Sequence, residues 1–382
     1  MKKIKTDFLI VGAGFYGCVL AERIASVLKK KVVILEKRDH IGGNCFSETD
    51  KETGIEFHKY GTHIFHTSIN NVGEYLKDFT HFNNYRHQVL SRYKKKTYQL
   101  PINLETINHF FDKDFTPLNA KKFILKQTQK FFKVNKDNFE IKAKSQIGEK
   151  LYEAFIKNYT FKQWGKKPKD LPASIFNRLP LRFDYNESYF KDALVQGIPK
   201  DGYTKIFERL TENNKIEIIY NSNYNYENKH EVKYLTIYTG PLDKLLNNRF
   251  GKLDWRSLKF KKQVINSEDF QGTSVMNFPE LKYKFTRIHE PRHLHLERNY
   301  GKKTIIFKEF PTTNNDEPYY PINDIINRSR HKKYKNFLMK NNKKFISGGR
   351  LADYAYYDMD MTISAALKKF DQIKKNYKYL IY

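Results

Sequence analysis

The chain has 382 residues and carries 70 lysines and arginines against 42 aspartates and glutamates, a formal net charge of +28. This length allows one large domain with insertions or two to three smaller domains. The chain has two cysteines and no apolar run near the ~20 residues that span a bilayer, so we expect neither a disulfide framework nor a transmembrane helix.

The basic surplus is spread along the whole chain and does not form one tail. It favours an acidic substrate and would suit association with a membrane surface, but it is not typical of a nucleic-acid-binding protein. A compositional bias of the genome would produce the same surplus. The start, Met1-Lys-Lys-Ile-Lys, runs directly into an apolar strand, so we expect no signal peptide and a cytoplasmic protein. The two cysteines form no metal-binding motif, and we predict no metal site.

A glycine-rich turn follows the first predicted strand, residues 7–11. Gly12 would form the tight turn, Gly14 would let the backbone approach a pyrophosphate, and Gly17 would let the next helix pack closely on the strand. The start of that helix would supply N–H donors for the phosphates. A second apolar strand ends at Glu36, which can accept hydrogen bonds from a ribose. These features occur in the order of the βαβ dinucleotide-binding fingerprint.

A second glycine pair indicates which dinucleotide is bound. Gly42 and Gly43 would let the backbone pass close to a ligand that extends beyond an adenosine, and Arg38 could meet a phosphate or the adenine. This extension is common in proteins that bury FAD, so FAD is favoured over NAD. An ordinary loop with turn glycines and a solvated arginine is the alternative.

The rest of the chain alternates helical and strand patterns. Residues 103–158 have helical periodicity, residues 253–310 are mainly strand-like, and segments 234–240 and 345–350 are each predicted as a strand that ends in a glycine turn. We therefore predict an α/β fold: a discontinuous Rossmann-like FAD-binding domain with an inserted helical domain and an antiparallel β-sheet domain. The predicted boundaries are 1–82, 181–245 and 339–382 for the FAD-binding domain, 83–102 and 246–338 for the β-sheet domain, and 103–180 for the helical domain, which includes a mobile loop carrying Trp164.

Nine further segments carry specific motifs: residues 41–44, 59–66, 159–164, 177–183, 238–243, 255–258, 286–288, 317–321 and 349–359. Taken together, these segments resemble the UDP-galactopyranose mutase family of bacterial flavoenzymes. They occur in the family's order and cover almost the whole chain, so their co-occurrence is far more specific than any one of them.

This resemblance implies an isomerase that interconverts UDP-galactopyranose and UDP-galactofuranose. In the family's mechanism, reduced FAD attacks the anomeric carbon of the sugar through N5 and expels UDP, and the ring contracts in a covalent sugar–flavin adduct. No net oxidation occurs, and the product supplies galactofuranose for cell-surface polysaccharide. Family members are usually homodimers. The resemblance does not decide which substituent the sugar carries at its 2-position. UDP-N-acetylgalactosamine is therefore a second substrate to test, together with UDP-galactose.

The resemblance also assigns catalytic roles. Arg178 and Arg287 match the family's two active-site arginines, whose guanidinium groups would grip the departing diphosphate. His63 matches the histidine beside the isoalloxazine, and Trp164 would cover the sugar.

Binding roles follow in the same way, on the substrate side and on the cofactor side. The predicted substrate-binding residues are Tyr189, Tyr320, Tyr354 and Tyr356 at the phosphates and sugar, Phe155 and Tyr159 stacked on the uracil, and Thr160, Asn277 and His87 in the same pocket, together with Trp164, Arg178 and Arg287. The predicted cofactor-binding residues are Gly12, Ala13, Gly14, Phe15, Gly17, Glu36, Lys37, Arg38, Gly43, Asn44, His63, Ile64, Arg350, Tyr356, Asp358 and Met359.

Three departures from the family pattern bear on substrate preference and not on class: Phe285 and Phe310 stand where relatives often carry Tyr, and Ile156 stands where some carry Phe. A redox flavoprotein of the amine-oxidase type is the main alternative, although paired arginines and a set of tyrosines predict an anion pocket. A non-catalytic basic module at a membrane or on nucleic acid is a further alternative, but it leaves the dinucleotide fingerprint unexplained.

Overall fold

The computed structural model describes residues 3–178, 181–190, 192–228, 230–313, 317–377 and 379, without the side chains of 174, 177 and 178. The strands are β1 Lys5–Val11, β2 Val32–Leu35, β3 Ser47–Thr49, β4 Glu56–His58, β5 Phe65–Thr67, β6 Val89–Tyr93, β7 Lys96–Leu100, β8 Val195–Gly197, β9 Ile216–Ile219, β10 Glu231–Tyr238, β11 Trp255–Ile265, β12 Val275–Asn277, β13 Arg287–His289, β14 Thr304–Thr312, β15 Tyr320–Pro321 and β16 Phe345–Ser347.

The α-helices are α1 Phe15–Val27, α2 Asn70–Lys77, α3 Leu104–Phe111, α4 Pro117–Thr128, α5 Phe139–Ile147, α6 Glu149–Leu151, α7 Lys157–Trp164, α8 Tyr203–Thr211, α9 Leu242–Leu245, α10 Ile325–Asn341 and α11 Met359–Asn376. Short 3₁₀ segments lie at Gly43–Cys45, Gln129–Phe131, Pro168–Asp170, Ala173–Arg178 and Pro291–Leu294, and a π-helical turn lies at Tyr152–Ile156.

A five-stranded sheet has the order β16-β10-β1-β2-β9, and every neighbouring pair is parallel. All four residues of β2 are buried, as expected for a strand covered on both faces. Helices α1, α8 and α11 pack together beside this sheet, and α1 buries Val19, Leu20 and Ile24 in the largest apolar core. Because Val11 pairs with Tyr238 and Tyr238 with Ser347, the turns after β1, β10 and β16 meet at one edge.

A second sheet has the order β15-β11-β14-β13-β12-β6-β7. Its pairs are antiparallel except for β6 with β12, which are parallel. The register aligns Ser91, Asn277, Arg287 and Glu309 in one row across β6, β12, β13 and β14. In this row Arg287 lies between Asn277, which has a side-chain amide, and Glu309, which has a carboxylate.

The segment from α3 to α7 is helical. Three of its helices begin at Asn103, Thr116 and Asn138, whose side chains each accept a hydrogen bond from the backbone N–H three residues later. The π-helical turn directly precedes α7, and such turns often occur at functional sites. Within the described ranges, no helix has both the length and the apolar character needed to cross a membrane.

The predicted fold class is confirmed: a Rossmann-like parallel sheet, assembled from strands near residues 5–35, 216–238 and 345–347, is combined with a helical insertion and a mainly antiparallel sheet. The parallel sheet is discontinuous because β9, β10 and β16 return to it after the insertions. The individual domain boundaries stay predictions.

Candidate active site

The turn between β1 and α1 has no room for side chains at two of its glycines. Gly12 has φ +106°, and a Cβ there would lie 2.1 Å from Oγ1 of Thr239 at the end of β10. A Cβ on Gly17 would lie 2.0 Å from the carbonyl oxygen of Gly12. The second glycine pair packs on this turn, since the atom nearest a Cβ on Gly14 is Cα of Gly43, at 4.0 Å. Bare backbone therefore lines the carboxyl edge of the parallel sheet, which is the feature that a dinucleotide phosphate needs.

Glu36 connects this turn to the end of β2. Its buried carboxylate accepts hydrogen bonds from the backbone N–H of Ala13 at 2.8 Å and from that of Arg38 at 3.0 Å. The carboxylate has further lone pairs for a ribose hydroxyl.

The Arg38 guanidinium donates to Oδ1 of Asn44 at 2.9 Å and lies 4.1 Å from the ring centre of Tyr60. It also pairs with Glu317 at 2.6 Å, and Lys37 reaches the same carboxylate at 3.1 Å. The motif containing Glu317 is visible in the sequence, but its pairing with two cofactor-side cations is not.

His63 follows β4 and is held by two hydrogen bonds, one from its ring and one from its backbone. Its Nδ1 lies 2.6 Å from the carbonyl oxygen of Gly61, and its backbone N–H donates to Nδ1 of His58 at 2.9 Å. A carbonyl can only accept, so the Nδ1 of His63 carries the proton and Nε2 is an acceptor. Burial, together with the nearby Arg350, lowers the pKa of His63 to about 4, so its ring is neutral at pH 7.

Arg350 comes from the C-terminal segment and donates to the carbonyl oxygen of Tyr319. Ile64 is buried with Ile198 and Leu294. Asp358 is the N-cap residue of α11, and Met359 is its first helical residue.

A cavity of about 300 Å³ lies between α7, the segment after β15 and the start of β13. Four residues predicted for the substrate site line it: Trp164, Arg287, Tyr320 and Tyr356. The rings of Tyr320 and Tyr356 stack at 5.4 Å with an interplanar angle of 9°, and the Trp164 ring is 6.4 Å from that of Tyr320. Further lining residues, which sequence reasoning did not assign to the site, are Gln163, Lys166, Asp170, Leu171, Pro172, Ile175, Pro321, Ile322, Asn323 and Asp324.

Arg287 is fixed on both sides of its guanidinium. Nε donates to the hydroxyl of Tyr159 at 2.6 Å, and a terminal nitrogen lies 3.9 Å from Oε2 of Glu309. Glu309 is buried and also accepts from the Thr286 hydroxyl at 2.9 Å and faces Nε2 of His289 at 3.1 Å. Burial alone would raise the pKa of Glu309, but Arg287 and His289 bring it down to about 2. Sequence reasoning missed Glu309, the single acid in β14, which directly follows Lys308.

Asn277 lies directly opposite Arg287, and its buried Oδ1 has no hydrogen-bond partner among the described residues. His87 is buried, with Nδ1 3.0 Å from the Tyr85 hydroxyl and its ring 5.4 Å from that of Tyr189. Burial lowers the pKa of His87 to about 3. The predicted residues Asn277, His87 and Tyr189 therefore lie near Arg287 and Tyr159, on the β12–β13 side of the site.

Phe155 and Thr160 are both buried. Phe155 lies in the π-helical turn with its ring 5.1 Å from that of Tyr98 and 5.4 Å from that of Phe110. In this structure Phe155 is packed inside an aromatic cluster and is not among the residues that line the cavity.

Two predictions need separate comment. The Tyr354 hydroxyl donates to the carbonyl oxygens of Asp254 at 2.5 Å and Ile322 at 3.0 Å, and its ring packs on Trp255. In this structure the Tyr354 hydroxyl is engaged by backbone and Tyr354 is not among the residues that line the cavity, whereas Tyr356 is. Phosphate binding by Tyr354 stays a prediction. Arg178 ends the 3₁₀ segment Ala173–Arg178, and its side chain lies outside the described part of the chain.

Comparison with known proteins agrees with these features. Residues 154–356 match the family model for UDP-galactopyranose mutase, and residues 10–79 match that for an NAD(P)-binding Rossmann-like domain. A probable UDP-galactopyranose mutase of Klebsiella pneumoniae is 38% identical, with 96% of this chain and 94% of the relative covered. A dTDP-fucopyranose mutase of Escherichia coli is 35% identical, with 97% and 99% covered. A crystal structure of reduced UDP-galactopyranose mutase shares the fold, with a TM-score of 0.77 at 15% identity over 97% of this chain and 94% of the other.

Proposed function

This chain belongs to the UDP-galactopyranose mutase family, and on that premise we propose that it interconverts UDP-galactopyranose and UDP-galactofuranose. The observation that carries the proposal is a fixed guanidinium, that of Arg287, beside the tyrosines of one cavity. The leaving group of this reaction is a diphosphate, and a cation held in place stabilises the developing charge without reorganising. Phenol hydroxyls add hydrogen-bond donors without adding charge.

We propose FAD as the cofactor. The residues fit the group, because Gly12 and Gly17 leave bare backbone where a Cβ would clash, and the Glu36 carboxylate keeps lone pairs for a ribose. Arg350 and neutral His63 would flank the ring system. When bound and reduced, FAD supplies the nucleophile for the anomeric carbon of the sugar, with no net oxidation.

The chain's own residues would then act mainly by stabilising the negative charge of the diphosphate and by keeping UDP and the sugar in place. Arg287, with Arg178 as the second predicted guanidinium, would grip the diphosphate while the bond to the anomeric carbon breaks. Retaining UDP at this position lets it return after the ring has contracted. His63 would accept a hydrogen bond at Nε2, because its Nδ1 proton is donated to Gly61. Trp164 would cover the sugar and exclude water.

The nucleotide-sugar preference is part of the proposal to be tested. One relative acts on UDP-galactopyranose by its name and another on dTDP-fucopyranose, which differ in the base, the ribose and the sugar. We propose UDP-galactose as the principal substrate and place UDP-N-acetylgalactosamine and dTDP-fucopyranose beside it in the assay.

The test uses flavin-loaded protein reduced with dithionite and supplied with UDP-galactofuranose, with chromatography of the product. UDP-galactopyranose is expected, and Arg287→Ala should lower turnover about 10²- to 10³-fold while the flavin stays bound. Arg249→Ala is the matched control, since Arg249 is exposed and stacks on Phe337 outside the cavity. If reduced wild-type protein forms no pyranose product, the proposal is wrong. Steady oxygen consumption with an amine would instead support an amine oxidase.

We also propose the domain division given above, a homodimer, a cytoplasmic location and a role in supplying galactofuranose for cell-surface polysaccharide. The charge of +28 is proposed to favour anionic nucleotide sugars and peripheral contact with an anionic membrane. Light scattering at several salt concentrations, with and without anionic vesicles, would separate self-association from lipid binding.

A further inference from the structure

Lys162 lies in α7, three residues after Tyr159 and two before Trp164. Its ammonium group lies within hydrogen-bond distance of four backbone carbonyl oxygens, those of Phe278, Glu280, Tyr283 and Phe285, at 2.5, 3.2, 3.1 and 2.8 Å. We call these four carbonyls the carbonyl cage. All of them belong to the connection between β12 and β13.

The carbonyl cage differs from an ordinary surface ion pair. An ammonium has three N–H donors, so one side chain supplies most of the hydrogen bonds that these carbonyls need. The nearest acid, Glu280, points its carboxylate to the backbone N–H of Lys94 and to Lys282. Burial lowers the pKa of Lys162, which marks an ammonium group largely removed from water.

The connection between β12 and β13, which carries the carbonyl cage, is also stabilised by apolar packing. The rings of Phe278, Tyr283 and Phe285 contact one another at 5.0 to 5.5 Å between centroids. The backbone between β12 and β13 therefore curls around the ammonium while its aromatic side chains pack together. Removing the ammonium would leave several carbonyls without a donor and would release the curled backbone.

The same end of α7 is held from a second direction. Arg256 of β11 is buried and donates to the carbonyl oxygen of Gln163 at 2.9 Å and to that of Lys162 at 3.2 Å. Arg256 thus caps the C-terminal carbonyls of the helix, where a cation is also favoured by the helix dipole. Lys162 joins α7 to the β12–β13 connection.

We propose that Lys162 is a positioning residue for the substrate site. Through the carbonyl cage it holds α7 against the segment whose two ends carry Asn277 and Arg287. This contact sets the spacing at which the Tyr159 hydroxyl meets Arg287 and at which Trp164 faces the cavity. The proposal deepens the proposed function, but its structural part does not depend on it.

The experiment measures amide hydrogen exchange and steady-state kinetics on the flavin-loaded Lys162→Met variant. We expect exchange in residues 278–286 to rise at least about tenfold, with residues 5–11 of the parallel sheet unchanged. We also expect KM for the nucleotide sugar to rise by a larger factor than kcat falls, with flavin retained. Lys157→Met is the matched control, because Lys157 lies on the same helix but pairs with Glu153 at the surface.

Two results would overturn the proposal. One is unchanged exchange in residues 278–286, and the other is a rise of equal size throughout the protein, which would make Lys162 a general stabilising residue. If Lys162→Met does not fold, Lys162→Arg takes its place, because a planar guanidinium keeps the charge but does not fit four converging carbonyls. The same local exchange is then expected. Exchange is measured independently of activity, so an inactive wild-type enzyme would contradict the proposed function and leave this test intact.

Discussion

The Nε of Arg287 donates a 2.6 Å hydrogen bond to the hydroxyl of Tyr159 across 128 residues of sequence. This bond joins β13 to α7 and so links the antiparallel sheet to the helical insertion. It also places an aromatic ring against a guanidinium, with 5.7 Å between the guanidinium carbon and the ring centre. A change at either residue should therefore alter the other's contribution.

Tyr159→Phe should weaken nucleotide-sugar binding through Arg287. The loss of one hydrogen bond to a charged group is expected to cost about 1.5–3 kcal/mol, seen mainly as a higher KM. A double-mutant cycle with Arg287→Lys measures the coupling. Additive effects of the two substitutions would show that the observed bond does not contribute to binding.

Glu309→Gln removes the buried charge partner of Arg287, so the Arg287 guanidinium should be held less firmly. We expect the free energy of unfolding to fall by about 1–3 kcal/mol, and not by more, because the Arg287 side chain is a third exposed and water can still solvate its charge. The Glu309 pKa is lowered to about 2, so its contribution is present above pH 4.5 and is lost as pH falls from 4.5 towards 2. Denaturant unfolding at pH 5 and pH 3 should therefore show a smaller acid-induced loss in Glu309→Gln than in wild type. Equal losses would mean that the carboxylate is not held as described.

His63→Asn tests a second group whose contribution to stability is lost as the pH falls, but at higher pH than that of Glu309. Burial lowers the pKa of His63 from 6.5 to about 4, so the unfolded chain binds its proton first and stability falls as pH drops from 6.5 to 4. The difference in melting temperature between pH 7 and pH 5 should be smaller in His63→Asn than in wild type. His87→Gln is a parallel case, since burial lowers its pKa as well. If a variant keeps the wild-type pH dependence, the ring it lacks has the same pKa in the folded and the unfolded chain, which would contradict the lowered pKa.

Gly12→Ala should abolish flavin binding. A Cβ at this position meets Oγ1 of Thr239 at 2.1 Å and must also adopt φ +106°, which strains a residue with a side chain. Gly54→Ala is the matched control: its φ of +69° is also left-handed, but no atom lies within 4 Å of the added carbon. Flavin absorbance after gel filtration distinguishes them. A yellow Gly12→Ala protein would show that the turn can move without losing the cofactor.

Trp164 should report ligand binding by its fluorescence, because it lines the cavity beside Tyr320. The other tryptophan, Trp255, is buried against Tyr354, so Trp255→Phe removes its background signal. In that variant, saturating UDP is expected to change the emission, as the prediction of a mobile loop requires. Emission that does not change with UDP would contradict both closure of the loop and contact between Trp164 and the nucleotide.

Sequence patterns alone predicted the features that depend on neighbouring residues. The strand, glycine turn and acid from β1 to Glu36 are local, and their geometry follows from an absent Cβ and an apolar run. The motif around Trp164 predicted a substrate-binding role in a mobile loop; in the structure Trp164 is the last residue of α7 and lines the cavity, and the role stays a prediction. The fold class followed from the same kind of evidence, since two further strands each end in a glycine turn.

Tertiary structure decided which distant groups meet. The pairing of Arg287 with Glu309 depends on the register of β13 and β14, and the carbonyl cage of Lys162 joins residues more than 115 positions apart. The Tyr354 hydroxyl meets backbone carbonyls of Asp254 and Ile322, which are distant in sequence, while Tyr356, two residues later, lines the cavity. Periodicity reports which face of an element is apolar, but it carries no information on which strand lies beside it or which carbonyls converge. Those relationships arise only when the insertions fold back on the sheet.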